Sequence, residues 1–187
     1  MTMVLLEVVA VLAVIAIVYG ISVYNRLTKL KVQVDAAWSD IDVQLKRRYN
    51  LIPNLVETVK GYAAHEAKTL EAVVDARNRA LANNGPAAEQ AKTENVLSGA
   101  LKSLFALAEQ YPNLKANETF MSLQKDLSEI EAHIQAARRF YNGSVRDNNT
   151  YVMQFPSNII ANMFNFKTAT FFELDDAAER ENVKVSF

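Results

Sequence analysis

The chain has 187 residues, half of them apolar, and a formal net charge of −1. That length supports one domain with a sizeable core. Cysteine is absent, which excludes a disulfide framework and any thiolate metal site, and no basic stripe with interleaved aromatics is present to suit a nucleic acid.

The chain opens on "MTMVLLEVVAVLAVIAIVYGISVY", where Glu7 is the only charge between Val4 and Tyr24. Such a run is long enough to cross a hydrocarbon core of roughly 30 Å. It lacks the basic start and the small-residue cleavage site of a signal peptide, and its apolar stretch is too long for one. Residues 1–25 are therefore read as a retained transmembrane anchor. Ala13, Ala16 and Gly20 fall along one side of it, a small-residue face on which spans can approach each other. No Lys or Arg precedes the span, whereas Arg26, Lys29 and Lys31 follow it at once. The positive-inside rule then predicts a single-pass protein with its N-terminus outside and its C-terminal domain in the cytoplasm.

Residues 26–165 carry a helical beat. Leu27, Leu30, Val34, Ala37, Ile41 and Leu45 recur at spacings of three and four, and the beat resumes with Val56, Val59, Ala63, Leu70, Val73 and Leu81. Between the two runs stands "RRYNLIPN", with Pro53 inside it. A proline in a helix interior costs about 3 kcal/mol and frees the carbonyl four residues back, here that of Tyr49. Two outcomes satisfy that carbonyl. Either the helix bends at Pro53 and a nearby arginine or asparagine donates to it, or Asn50 caps a new helix. The stripe is consistent with one helix from Leu27 to Ala82, ended by "NNGP" with a left-handed Asn or Gly.

A second helix is predicted over about 87–109, with Val96, Leu97, Ala100, Leu101, Leu104, Phe105 and Ala108 buried. A third long one follows the "QYPNLKAN" loop, with Phe120, Leu123, Leu127, Ile130, Ile134, Ala137, Tyr141, Val145 and Asn148 on its inner face. "FPSN" stops it and opens a short helix. Residues 166–187 read as an extended tail. Its β-branched and aromatic segments "FKTATFFE" and "NVKVSF" suit short strands or coil packed on the bundle. The expected fold class is all-α: an N-terminal transmembrane helix, then an antiparallel bundle of long helices, then this tail.

Chemistry is sparse. His65 has Thr69 where a zinc-protease signature needs a second histidine, and His133 has Ile130 where a di-iron motif needs glutamate. No phosphate loop or nucleophile elbow occurs, so neither catalysis nor a cofactor is expected. Two double arginines stand out: Arg47 with Arg48, and Arg138 with Arg139. They suit either a partner's carboxylates or, as the reading preferred here, acidic faces within the bundle.

Three segments together carry a family resemblance: "RRYNLIPNLVETVKGYAAHE", "QYPNLKANETFMSLQKDLSEIEAHIQAARRFYN" and "FPSNIIANMFNFK". In order and spacing, and in following an N-terminal span, they closely resemble the LemA family of bacterial membrane proteins. The resemblance implies a membrane-anchored antiparallel helical bundle in the bacterial inner membrane. It implies no activity, and it leaves the matched positions, Arg47–Glu57, Tyr111–Lys115 and Phe155–Asn158, as signatures of the fold. Two functions fit. One is a homo-oligomeric membrane scaffold, with Val183, Val185 and Phe187 of the tail engaging a neighbouring subunit. The other is an anchored adaptor that recruits a membrane or soluble protein, such as a protease or a sensor component, through its arginine-rich helix ends.

Overall fold

The computed structural model describes residues 2–173. Six helices account for most of them: α1 (Thr2–Lys60), α2 (Ala67–Ala82), α3 (Ala87–Ala108), α4 (Pro112–Lys115), α5 (Glu118–Met153) and α6 (Ser157–Met163). No strand occurs among the described residues, so the fold is all-α. The chain forms two compact units, and α1 and α5 each contribute to both.

The first unit comprises Met1–Asp40 and Arg139–Ala169. Along α1 every residue from 2 to 19 is exposed although this is the most apolar part of the chain, and α1 is long and apolar enough to cross a membrane. Further on, the helix turns its stripe inward. Leu27, Leu30, Val34 and Ala37 are buried. The partner is α5, which runs antiparallel: Trp38 packs against Tyr141 with ring centroids 5.3 Å apart and the planes tilted by 58°, Gln33 reaches Ser144, and Val23 and Leu27 pack with Val152. α6 closes this end with Ala161. It stops in a left-handed residue, Asn165, at φ 57°. The Phe166 N–H then bonds back to the Ala161 carbonyl at 2.9 Å and the Asn165 N–H to that of Asn162 at 3.3 Å, which satisfies carbonyls that the helix end leaves open.

The second unit comprises Ile41–Arg138 and the described residues from Thr170. Here the C-terminal part of α1 packs with α2, α3 and the first half of α5 as a four-helix bundle. Ile41, Leu45, Ile52, Leu55, Val59, Val73, Leu97, Leu104 and Ile134 form its core. α2 and α3 make an antiparallel hairpin.

Several expectations are corrected. The first long helix does not reach Ala82; it ends at Lys60. Residues 61–66 form a turn, whose Tyr62 hydroxyl accepts from Asn117 and whose Glu66 accepts from the Tyr111 hydroxyl. The α2–α3 turn contains no left-handed residue. Asn83 is extended, and its side chain accepts from the Gly85 N–H at 2.9 Å in place of a left-handed stop. Leu81 and Val96 are exposed, because Ala80 and Glu94 hold the inward positions of their turns. The segment "FKTATFFE" is coil as far as Glu173. At Ala169 a side chain makes a ladder-like contact, since the Asn149 amide both donates to the Ala169 carbonyl and accepts from the Ala169 N–H. "NVKVSF", with Val183, Val185 and Phe187, lies outside the described residues.

Candidate functional site

Within the second unit the charged residues converge at one place. Three and four residue steps along α1 run from Ile41 through Leu45 to Arg48 and Ile52, so Arg48 occupies a core position. On α3 the same beat runs Ala91, Glu94, Leu97, Leu101 and Leu104. Arg48 is 1% exposed and Glu94 is 0% exposed. Burying either charge alone is unfavourable by several kcal/mol, on the order of the desolvation of one ion. Here they meet. The Arg48 Nη2 donates to Glu94 Oε2, and Nη1 donates to Glu131 Oε2 of α5 at 2.8 Å and to Ser98 Oγ at 3.3 Å. The second Glu94 oxygen accepts from the Tyr49 hydroxyl. Burial, the Glu94 charge and the hydrogen bond to it push the Tyr49 phenol well above its ordinary range, with the Arg48 guanidinium partly opposing them.

One turn on lies Pro53. α1 passes through it without interruption, so Asn50 opens no new helix. The Tyr49 carbonyl, which Pro53 cannot serve, accepts from Arg77 Nε of α2 at 3.3 Å. Backbone and side chains of residues 48 and 49 thus tie α1 to all three of its neighbours in this unit. A cleft of about 650 Å³ opens beside the node, lined by Arg48, Ser98, Lys102, Phe105, Glu131 and Gln135 among others.

The other residues singled out in the sequence lie elsewhere. Arg47 and Arg139 are exposed, and Arg138 is buried. Arg48 is enclosed among the helices, which removes it from any docking surface. Ala13 and Ala16 are exposed, whereas Gly20 is half-buried with Ile160 of its own chain 3.8 Å from where its Cβ would be. His65 and His133 are exposed. Glu94 and Glu131 were not anticipated. Glu94 was legible in principle, because a carboxylate on an apolar beat must find a buried partner.

The buried node spans segments that carried the family resemblance. The profile described as LemA family matches residues 37–187. The chain belongs to the LemA family. Among its relatives, Magnetosome protein MamQ 2 of Paramagnetospirillum magneticum is 26% identical over 200 residues, covering 93% of this chain and 74% of its own. Magnetosome protein MamQ of Magnetospirillum gryphiswaldense is 24% identical over 181 residues, 83% of this chain and 66% of its own. Protein LemA of Metamycoplasma hominis is 27% identical over 166 residues, 86% of this chain and 72% of its own. The LemA profile includes the Arg48, Tyr49, Pro53, Arg77, Glu94 and Glu131 positions and begins after the apolar start of α1.

Proposed function

We propose that this LemA-family protein is a non-enzymatic, single-pass membrane scaffold that works as a closed homo-oligomer, with its N-terminus outside and its C-terminal domain in the cytoplasm. The observation that carries the reading is on α1. Its most apolar stretch is also its most exposed, and the same helix continues without a break into bundle core. A helix apolar all round and uncovered by protein belongs in lipid. The charged side chains beyond it support a structural role. Arg48 pairs with both Glu94 and Glu131 and so ties three helices together.

Two features support self-assembly. Ala13 and Ala16 present small side chains to the bilayer, where close helix approach gains contact that lipid does not supply as well. Outside the span, Val32 and Val43 on α1, Val74 on α2, Val96 on α3 and Phe140 on α5 are exposed. The test is particle mass in mild detergent, with cross-linking in native membranes. Intact protein should be larger than a dimer, and Ala13→Phe with Ala16→Phe, or deletion of residues 182–187, should reduce that mass. Gly20 is a poor probe, because a larger side chain there meets Ile160. A monomer or dimer under both conditions overturns the scaffold in favour of the anchored adaptor, for which Arg47 and Arg139 are the exposed cations.

A further inference from the structure

The first unit contains a surface that the anchor alone does not explain. From Tyr151 to Phe166 the chain has no Asp, Glu, Lys or Arg. Within that stretch Met153, Phe155, Ile159, Met163 and Phe164 are each more than half exposed, Phe155 to 79%. Apolar side chains this large, crowded around the end of α5 and α6, form a patch that water disfavours and that marks an interaction surface.

Its position on α1 identifies what covers it. Ile160 lies 3.8 Å from the Cβ position of Gly20, the Phe164 and Phe166 rings meet Tyr24 edge-on at 4.9 and 5.6 Å, and Ala161 packs with Val23 and Leu27. α6 is therefore clamped to residues 20–27 of α1, where the apolar run ends and the first base, Arg26, stands. At a rise of 1.5 Å per residue, Gly20 to Arg26 spans about 9 Å, the depth of the zone between acyl chains and headgroups. The local chemistry suits that zone. Gln154, Asn158, Asn162 and Asn165 interleave the apolar residues with uncharged amides, and Tyr19 and Tyr24 add amphipathic rings. The backbone is largely closed as well: Asn158, Ile159, Phe164, Asn165 and Phe166 all donate to carbonyls within residues 154–162.

We infer that the end of α5 and α6 form a monotopic collar seated in the lipid interface beside the transmembrane helix, with Phe155, Ile159, Met163 and Phe164 inserted among the upper acyl chains. The inference rests on the anchor proposed above. A second copy of the chain is the competing occupant, but a copy covering this patch would remove from lipid the side chains that sit at lipid depth.

The chain has no cysteine, so single probes are straightforward. Val14→Cys, Met163→Cys, Phe164→Cys and Lys46→Cys are each labelled with an environment-sensitive fluorophore in the full-length protein. Each is reconstituted in vesicles of phosphatidylcholine and phosphatidylglycerol that carry spin labels at the headgroup, high on the acyl chain or near its end. The probes at 163 and 164 should be blue-shifted and quenched about twofold more by the shallow acyl label than by the deep one. The probe at 14 should be quenched best by the deep label, and the probe at 46 by none. If 14 is quenched while 163 and 164 are not, the collar is overturned and the anchor stands, and blue-shifted emission without lipid quenching assigns the patch to a protein contact. If 163 and 164 are quenched while 14 is not, the patch touches lipid and the anchor fails. Quenching at none of the three overturns both.

Discussion

Arg48 and Glu94 are the residues whose chemistry is least free to vary. Neither carries a water-facing surface, so removing one partner leaves the other charge in the core. Arg48→Met alone should destabilise the fold by about 3–5 kcal/mol, whereas Arg48→Met combined with Glu94→Leu and Tyr49→Phe should recover most of that loss, because well-packed apolar groups avoid the desolvation altogether. Urea titrations of the unaltered protein, the three single variants and the triple variant in one detergent check this, and strict additivity would show that the three residues do not act together. Tyr49 adds a pH signature. Its phenol is raised in the folded chain, so its contribution is fully present below about pH 10 and is lost above it, as the unfolded chain releases its proton first. Stability should fall by about 1.4 kcal/mol per pH unit for this group above that point. Tyr49→Phe should make the alkaline slope shallower without abolishing it, since burial and the Asp35 charge also raise Tyr141. An unchanged slope would place Tyr49 outside the buried node. The sequence reading preferred internal pairing for the double arginines, and for Arg48 the partners are Glu94 and Glu131. The pairing itself was not legible, because the partners come from α3 and α5, whose packing on α1 is tertiary information; Arg48, Glu94 and Arg138 all sit on the apolar beat.

At the scale of elements, α1 shows why a helix tolerates Pro53. The lost backbone bond is replaced from outside the helix by Arg77. That makes a double-mutant cycle informative. Pro53→Ala alone should change stability by no more than about 1–2 kcal/mol, since better helix propensity is offset by packing formed around the proline. Arg77→Leu leaves the Tyr49 carbonyl without its donor and should cost about 1–3 kcal/mol. In the Pro53→Ala background residue 53 regains an N–H that reaches that carbonyl, so Arg77→Leu should be milder there by about 1 kcal/mol. Loss of the Arg77 contact to Asn78 is common to both backgrounds and cancels. A coupling of zero would mean that the arginine does not serve the carbonyl. The need for a donor was legible from Pro53, but not which residue supplies it, because Arg77 comes from a helix whose packing is tertiary information. The end of α1 at Lys60 was obscured for a related reason. The apolar stripe runs on through Ala63, which is buried in the turn itself, so periodicity alone does not separate a helix from a tightly packed corner. The "FKTATFFE" segment suited a strand or packed coil, since β-branched and aromatic residues fit either; the described part is coil, and Asn149 takes the place of a pairing strand at Ala169.

For the whole molecule, the all-α class was readable because long amphipathic runs are the strongest pattern a sequence carries. Orientation across the membrane rests on different physics, the placement of a few cations. Arg26, Lys29 and Lys31 follow the span at once, and residues 1–25 hold no Lys or Arg. Fused to Phe187, a reporter active only in the cytoplasm should be active, and one active only after export should be silent. Replacing the three basic residues with glutamine and placing three lysines ahead of Val4 should weaken or invert that pattern, because the bias follows the basic residues near the span ends. The collar is neutral on orientation. Met153, Phe155, Ile159, Met163 and Phe164 stand by the end of the span at residues 20–27 of α1, so in an inverted protein they would meet the opposite interface. An active exported reporter on the unaltered chain would overturn the orientation while leaving the lipid depths of positions 163 and 164 unchanged, since depth depends on the contacts of α6 with α1, Ile160 beside Gly20 and Phe164 against Tyr24, and orientation on the basic flank.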